Sequence, residues 1–204
     1  CGSCVAFGVA AALESRWAVQ NGGTLLPSGE EIDLSEAHLF YCYGKTAGRN
    51  CGNGWWPAAP LEKVRDEGVV PEACFPYTPG NQDCVVCSGP GFKKWKITGY
   101  ERVTDPASMK SWLTEKGALV TAFSVYNNFK SFFASEPNGV YRETRWPRVG
   151  GHCVCCVGFD DNQACWIIKN SWGPFFGDQG FFRIGYGVAG IDFEMFGALE
   201  VSEP

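Results

Sequence analysis

The 204-residue sequence lacks clustered basic charge: no run of Lys or Arg exceeds the pair Lys93–Lys94, and the net charge is −5. Nucleic acids and anionic membrane surfaces are bound by such clusters, so neither is an expected partner. No apolar run reaches the roughly 20 residues of a membrane-spanning helix. Histidine is nearly absent, and any reaction that needs an imidazole must use His38 or His152.

Cysteine, by contrast, is abundant, with eleven in the chain. Several lie in Gly- and Pro-rich loops, which is typical of disulfides formed in an oxidising compartment, so we expect a secreted, periplasmic or lysosomal (vacuolar) protein. Because eleven is odd, at least one thiol stays unpaired in a monomer. The chain is 45% hydrophobic and long enough to bury its own core, so we expect a monomer that needs no structural metal.

The start of the chain places a cysteine where a helix begins. Cys1-Gly2-Ser3-Cys4 leads into an apolar run that predicts a helix over 3–20, and Asn21-Gly22-Gly23 is a stop signal. Cys4 then lies in the first turn, where unpaired N–H groups and the positive end of the helix dipole favour a thiolate. An imidazolium beside the sulfur would favour the thiolate further.

The first half of the chain predicts helices and the second half predicts strands. Further helices are expected over 35–42, with Ser35 as N-cap, and over 57–67, with Gly68 after the end. Segments rich in β-branched and aromatic residues predict strands at 119–125, 153–159, 164–169, 180–186 and 198–201. A helical half followed by a mostly antiparallel half predicts two packed lobes with a cleft between them.

Two residues of the second half complete a candidate nucleophilic site with Cys4. His152 stands at the head of a predicted strand, and Asn170, eighteen residues later, is an amide that can orient the imidazole. Taken alone, His152 is more typical of a satisfied interior histidine than of a catalyst. His38 lies in the middle of a predicted helix, and we expect a structural or exposed role for it.

Two other interpretations of the cysteines are weaker. Cys1-x-x-Cys4 and Cys84-x-x-Cys87 have the spacing of zinc knuckles, but the long gap between them and the helix start inside the first argue against a metal site. A thioredoxin-type redox motif requires a βαβ context that the second half lacks.

An ordered set of motifs resembles the papain-like cysteine peptidases and covers nearly the whole chain. The motifs are Cys1-Gly2-Ser3-Cys4, Leu34-Ser35-Glu36 ending at Cys42, Cys51-Gly52-Asn53-Gly54, Phe75-Pro76-Tyr77, Gly151-His152, Lys169-Asn170-Ser171-Trp172-Gly173 and Gly177-Asp178-Gln179-Gly180-Phe181-Phe182-Arg183-Ile184.

The resemblance implies an α+β fold with a helical lobe over 1–97 and an antiparallel, barrel-like β lobe over 98–204, the active-site cleft lying between them. It implies that Cys4 is the nucleophile, His152 the base and acid, and Asn170 the residue that holds the imidazole. Trp172 should cover the hydrogen bond between His152 and Asn170. The expected substrates are peptides or proteins, with no cofactor and no metal, and the family has an inhibitory pro-segment.

Two departures from the family concern the surroundings of Cys4. The oxyanion-hole glutamine of the family stands six residues before the nucleophile, so we expect the polypeptide to extend upstream. The donor within this sequence is the backbone N–H of Cys4, and loss of one such donor costs about two to three orders of magnitude in rate. Val5 replaces the usual Trp, which changes the packing beside the nucleophile.

The family's disulfide pattern carries over by position. The resemblance implies one disulfide between Cys1 and Cys51 and a second between Cys42 and Cys84. Cys74 and Cys87 remain as an additional pair within one loop. A third family bridge is absent, since Ala189 occupies one of its positions. The remaining cysteines of the β half have no assigned partner: Cys153, Cys155, Cys156 and Cys165.

The resemblance also implies a pocket for the second substrate residue before the scissile bond. By position its walls are Trp55, Trp56, Ala122 and Gly151, with Asn53 and Gly54 beside the substrate backbone, which Gly54 would hydrogen-bond in strand-like fashion. Glu194 falls at the pocket floor, and we hypothesise that it admits Arg as well as large apolar side chains. The two tryptophans are also consistent with core residues, and Glu194 with a solvated carboxylate.

The predicted function is therefore a cysteine endopeptidase that acts through a thioester. Two alternatives remain open at this stage. One is a catalytically silent relative that serves as a binding or storage protein, and the other is a transpeptidase or peptide ligase that passes the thioester to an amine.

Overall fold

The computed structural model describes residues 1–23, 29, 32–89 and 94–203. The helical elements of this part are α1 (Cys4–Gln20), a π-helical segment (His38–Gly44), α2 (Ala58–Asp66), a 3₁₀ turn (Glu72–Cys74), α3 (Pro106–Glu115), α4 (Phe129–Ser135) and a second 3₁₀ turn (Val188–Gly190). None of the described helices has the length and apolar character needed to cross a bilayer.

Nine strands form one large sheet and one small ribbon. The strands are β1 (Lys96–Ile97), β2 (Tyr100–Val103), β3 (Leu119–Tyr126), β4 (Val140–Tyr141), β5 (Arg148–Asp160), β6 (Cys165–Lys169), β7 (Phe181–Gly185), β8 (Met195–Ala198) and β9 (Val201–Ser202). The large sheet has the order β2-β8-β3-β5-β6-β7-β4, and β1 pairs with β9. All pairs are antiparallel except β4 with β7.

The α+β class is confirmed, but within the described residues the sheet does not close into a barrel. Its two edge strands, β2 and β4, do not pair with each other. The β half is therefore an open sheet rather than the barrel-like lobe that the sequence suggested.

Helix α1 is buried along most of its length and packs on β5. Gly8 stands at the closest approach, because a Cβ at this position would lie 3.1 Å from the carbonyl oxygen of Val154 and 3.2 Å from Cys153 Sγ. Glycine inside a helix costs about 1 kcal/mol relative to alanine. Here the glycine is needed because it allows close packing, which holds the start of α1 against the strand that carries His152.

Strand alternation divides the apolar residues into two cores. On β5, Cys153 and Cys155 face a cluster shared with α1 and the other elements of the first half, whereas Val154 and Cys156 face a cluster within the second half. The two cores agree with two packed halves. The lobe boundary at residue 97 stays a prediction.

Most predicted elements form close to their expected limits, but β5 starts at Arg148, five residues before the strand predicted at 153–159, so His152 lies inside the strand rather than at its head. Ser35 Oγ accepts a hydrogen bond of 2.9 Å from the His38 N–H at the start of the π-helical segment. Gly68, beyond α2, has a φ of 82°, the left-handed conformation that glycine adopts without strain. The turn between β5 and β6 is closed by Asp160, whose Oδ1 accepts from the Asn162 N–H at 2.9 Å.

The strand predicted at 198–201 is wrong. Strand β8 ends at Ala198 and pairs with β2, while β9 starts at Val201 and pairs with β1. The chain leaves the large sheet between them and enters the ribbon, so one apolar run serves two strands. Helices α3 and α4 were not predicted, although Asp105 caps α3 by accepting the Ser108 N–H at 2.8 Å.

Candidate active site

The segment before α1 is fixed at both of its ends. Cys1 forms a disulfide with Cys51, and the Gly2 N–H donates to the Cys51 carbonyl oxygen at 2.8 Å. Ser3 is buried, and its hydroxyl lies 2.7 Å from the Tyr77 hydroxyl. These contacts set where α1 begins and therefore where Cys4 projects.

The Cys4 thiol lies at the junction of α1 and β5. Its sulfur accepts a hydrogen bond of 3.4 Å from the backbone N–H of Cys153, the residue that follows His152. Burial raises the pKa of Cys4, while the backbone N–H groups of Cys153, Val5 and Cys4 itself act to lower it. The N–H groups at the helix start thus lower the pKa of Cys4, as expected, but the desolvation of the thiol raises this pKa by more.

The imidazole of His152 is held by an amide. Its Nε2 lies 2.7 Å from Asn170 Oδ1, which also accepts the Ser171 N–H at 2.9 Å. An amide oxygen can only accept, so Nε2 carries the proton that is donated to it. The other ring nitrogen, Nδ1, is then the one available for proton exchange with a thiol.

Trp172 covers this hydrogen-bonded pair. Its ring stacks on His152 with centroids 4.6 Å apart and an interplanar angle of 21°. Phe129 and Phe176 contact Trp172 edge to face, and the Lys130 ammonium lies 4.9 Å from the centre of the Trp172 ring. The stacking excludes water from one face of the imidazole.

The electrostatic environment of His152 favours its neutral form. Burial lowers the pKa of His152, the hydrogen bond that its ring donates to Asn170 acts in the opposite direction, and the nearby charge of Lys130 lowers the pKa further. Together with the raised pKa of Cys4, these effects favour an uncharged thiol and imidazole. An ion pair at this site has to be stabilised by the mutual attraction of its two charges.

The residues predicted to bind substrate lie in different environments. Trp55 packs against the first core and Trp56 is 53% exposed. Ala122 lies opposite Cys153 on the pairing of β3 with β5, and Gly151 lies opposite Ser124.

Gly54 has a φ of 59° and contacts Gly2 closely. The side chain of Asn53 is occupied within its own loop. Its Oδ1 accepts the Asn50 N–H at 2.9 Å, and its Nδ2 donates to the Gly48 carbonyl oxygen at 3.1 Å. Asn53 therefore shapes the loop that carries Gly54.

Glu194 is not the solvated carboxylate considered above. Its side chain is 12% exposed and forms an ion pair with Arg102 on β2, which is held beside it by the pairing of β2 with β8. An arginine side chain of a substrate would have to compete with Arg102 for this carboxylate.

His38 is buried rather than exposed, and it packs as a structural residue. It is 2% exposed and lies 4.5 Å from the Tyr43 ring, edge to face. Burial, reinforced by the charge of Lys94, lowers the pKa of His38 to about 4, so the ring is neutral near pH 7.

The cysteines divide into six that are bonded and five that are free. The disulfides are Cys1–Cys51, Cys42–Cys84 and Cys74–Cys87, the same three pairs as expected, and each consumes a cysteine of the zinc-like spacings. Cys4 is the partly exposed free thiol, and the other four, Cys153, Cys155, Cys156 and Cys165, are buried. Within the described residues no cluster of ligands could hold a metal ion.

Comparison with known proteins identifies the class to which this fold and site belong. The family model of the papain family cysteine proteases matches residues 1–198. The chain therefore belongs to the papain family of cysteine proteases.

Among curated proteins, cysteine proteinase 2 of Entamoeba histolytica is 31% identical over 192 residues, which are 90% of this chain and 57% of that protein. The chain thus spans less than two thirds of that relative's length. Among solved structures, bromelain from Ananas comosus in complex with the E64 inhibitor has a TM-score of 0.75 at 27% identity, covering 98% of this chain and 90% of that one. Procathepsin B S9 from Trypanosoma congolense has a TM-score of 0.79 at 24% identity, covering 98% and 69%, and supports the fold.

Sequence reasoning missed three neighbours of the site. Lys130 and Arg102 lie on elements with no motif, so only the tertiary structure brings them to Trp172 and Glu194. Cys153 was left unassigned, although its position next to His152 in the sequence already implied proximity to the site.

Proposed function

We propose that this chain is the catalytic unit of a cysteine endopeptidase that cleaves peptide bonds through a thioester. The observation that supports the proposal most strongly is the hydrogen bond between His152 and Asn170 beneath Trp172, next to the strand residue that contacts the Cys4 sulfur. A histidine that only filled a core would need neither an orienting amide nor a stacked indole at the edge of a cleft.

In the proposed reaction the Cys4 sulfur transfers its proton to Nδ1 of His152 and attacks the carbonyl carbon of the scissile peptide. The imidazolium then protonates the departing amine, which leaves a thioester on Cys4. A water molecule that gives its proton to the same ring hydrolyses the thioester. Asn170 accepts from Nε2 throughout, so the ring keeps its orientation while Nδ1 gains and loses the proton.

The start of helix α1 helps to stabilise the negative charge that develops on the substrate oxygen. Cys4 is the first residue of α1, and no acidic residue lies in the first turn to oppose that charge. The backbone N–H of Cys4 is the donor that we assign to the oxyanion hole from within this sequence.

The same geometry is compatible with transfer of the thioester to an amine, which differs only in the nucleophile that arrives second. We favour hydrolysis because Trp172, which stacks on His152, is 36% exposed, so water reaches this side of the site. A silent binding or storage protein would not need a nucleophile, a base and an orienting amide together.

We further propose a monomer that acts on peptides or proteins in a secretory or lysosomal setting and is kept inactive by a pro-segment. The three disulfides support the oxidising setting. The similarity to digestive procathepsin L 3 of Tenebrio molitor, at 25% identity, supports the pro-segment.

The proposal is tested with the epoxide E64, the inhibitor bound in the bromelain structure. We expect one adduct per chain, located on Cys4 by peptide mapping, and loss of hydrolysis of a fluorogenic peptide in proportion to labelling. Cys4→Ser should give neither adduct nor hydrolysis, while Cys165→Ser, which removes another free thiol, should behave like the parent. An adduct that persists in Cys4→Ser would refute the assignment of the nucleophile.

A further inference from the structure

A second thiol adjoins the candidate nucleophile without belonging to the proposed hydrolytic mechanism. The backbone nitrogen of Cys153 lies 3.4 Å from Cys4 Sγ, and a backbone N–Cα bond is about 1.46 Å long. The Cα atom of Cys153 is therefore within about 5 Å of the Cys4 sulfur. An S–S bond is about 2.05 Å long, so a Cys4 sulfur this close to the Cα of Cys153 is within reach of the Cys153 sulfur.

The side chain of Cys153 points toward the helix that carries Cys4. Its sulfur lies 3.2 Å from the position that a Cβ on Gly8 would occupy. Gly8 follows Cys4 by one helical turn, so the two residues share one face of α1, about 5–6 Å apart. The absence of a side chain at Gly8 leaves the space in which the Cys153 sulfur lies beside this face.

Strand alternation keeps Cys153 away from the imidazole. His152 and Cys153 are consecutive on β5, and their side chains leave opposite faces of the sheet. His152 contacts Phe123, Asn170 and Trp172, whereas Cys153 joins the core beneath α1. A bond between Cys4 and Cys153 would draw the nucleophilic sulfur from the imidazole toward the junction of helix and sheet.

We propose that Cys153 is a resolving thiol, which captures the oxidised form of Cys4 as an internal disulfide and so makes oxidative inactivation reversible. The inference rests on the proposed function in requiring a reactive Cys4. Burial of Cys153 keeps it protonated and shielded from direct oxidation, so the peroxide reacts first at Cys4, the more exposed of the two.

The oxidant is hydrogen peroxide or another hydroperoxide, and the reaction has two steps. The Cys4 thiolate attacks one peroxide oxygen, the O–O bond breaks, hydroxide leaves and the sulfur becomes a sulfenic acid. The Cys153 sulfur then attacks the Cys4 sulfur, the S–O bond breaks, and the departing hydroxide takes the thiol proton to form water. Two thiols have lost one electron each, and the peroxide has gained two.

The test compares the parent full chain with Cys153→Ser and with Cys155→Ser after brief treatment with dilute hydrogen peroxide. Cys155 is a matched control, since it is a buried free thiol on the same face of the same strand, two residues farther along β5. Intact mass and peptide mapping report the covalent state, and the peptidase activity recovered with dithiothreitol reports reversibility. Cys153→Ala is the second variant, and circular dichroism verifies that each variant is folded.

We expect the parent and Cys155→Ser to lose two hydrogens, to yield a linked Cys4–Cys153 peptide and to recover most of their activity. Cys153→Ser and Cys153→Ala should instead accumulate two or three oxygens on Cys4 and recover roughly tenfold less activity, because those oxidation states are not reversed by thiols. A parent that gains oxygens without forming the link, or variants that recover as well as the parent, would overturn the proposal.

Failure of the proposed function is distinguishable from failure of this inference. Absence of E64 labelling and of hydrolysis before any oxidation would count against Cys4 as a nucleophile. A parent that is labelled and active but forms no link to Cys153 would count against the resolving role alone.

Discussion

The charge of Lys130 should lower the upper end of the pH range in which the proposed peptidase works. Its ammonium lies 4.9 Å from the Trp172 ring centre, and that ring stacks 4.6 Å from His152, so the ammonium is at most about 9.5 Å from the imidazole. At this distance the repulsion is about 0.4 kcal/mol in a water-like dielectric and about 1.7 kcal/mol at an effective dielectric of about 20.

Lys130 is exposed, so the lower half of that range applies, and one pKa unit corresponds to about 1.4 kcal/mol. Lys130 acts to lower the pKa of His152. Lys130→Gln should therefore raise the pKa of His152, and the alkaline limb of the kcat/KM profile should move upward by about 0.3–0.7 pH unit. The acid limb should move less, because Lys130 is not among the groups that act on the pKa of Cys4.

The assay is hydrolysis of a fluorogenic peptide across the pH range at low and high salt. Lys130→Arg keeps the charge and should keep the alkaline limb in place. Lys116→Gln is a matched control, since Lys116 also lies over a tryptophan, 4.1 Å from the Trp112 ring centre, away from the site. The shift should shrink in high salt. An alkaline limb that stays fixed, or moves downward, in Lys130→Gln would refute the electrostatic reasoning.

Two further predictions concern specificity and stability. Arg102 forms an ion pair with Glu194 and so competes with an arginine side chain of the substrate. Arg102→Gln should therefore raise the preference for Arg over Ala at the second residue before the cut by about tenfold, which corresponds to about 1.4 kcal/mol. Glu194→Ala should abolish that preference. A substrate profile identical in all three proteins would remove Glu194 from the pocket floor. Gly197→Ala places a Cβ against the Trp112 ring and should destabilise the fold by about 1–3 kcal/mol in urea unfolding, whereas Gly23→Ala, whose Cβ meets open space, should not. An unchanged unfolding midpoint for Gly197→Ala would contradict the packing described.

The catalytic candidates could be identified from the sequence because short motifs define each of them. The start of a helix positions Cys4, strand β5 carries His152 as its fifth residue, and the tryptophan two residues after Asn170 stacks on the imidazole. These relationships are local or depend on a single packing of helix against strand.

The features that escaped sequence reasoning depend on contacts between distant segments. Arg102 reaches Glu194 only because β2 pairs with β8, across 92 residues of chain. The apolar run at 198–201 is divided between two sheets by partners that the run itself does not encode.

The charge state of the site was likewise incompletely predictable. The helix start argued for a thiolate, yet burial raises the pKa of Cys4 and lowers that of His152. Desolvation depends on how completely two halves of the chain enclose the pair, and no local motif reports that enclosure.

The central proposal is that the mutual attraction of the two charges outweighs their desolvation, so that the Cys4 sulfur and the His152 ring react as an ion pair. The pH dependence of Cys4 alkylation by iodoacetamide tests it most directly. The account predicts rapid alkylation at about pH 6, well below the ordinary thiol pKa of about 8.5, and a loss of about two orders of magnitude at that pH in His152→Ala. Alkylation of Cys4 that rises only near or above pH 8.5, with the same profile in His152→Ala, would contradict the account.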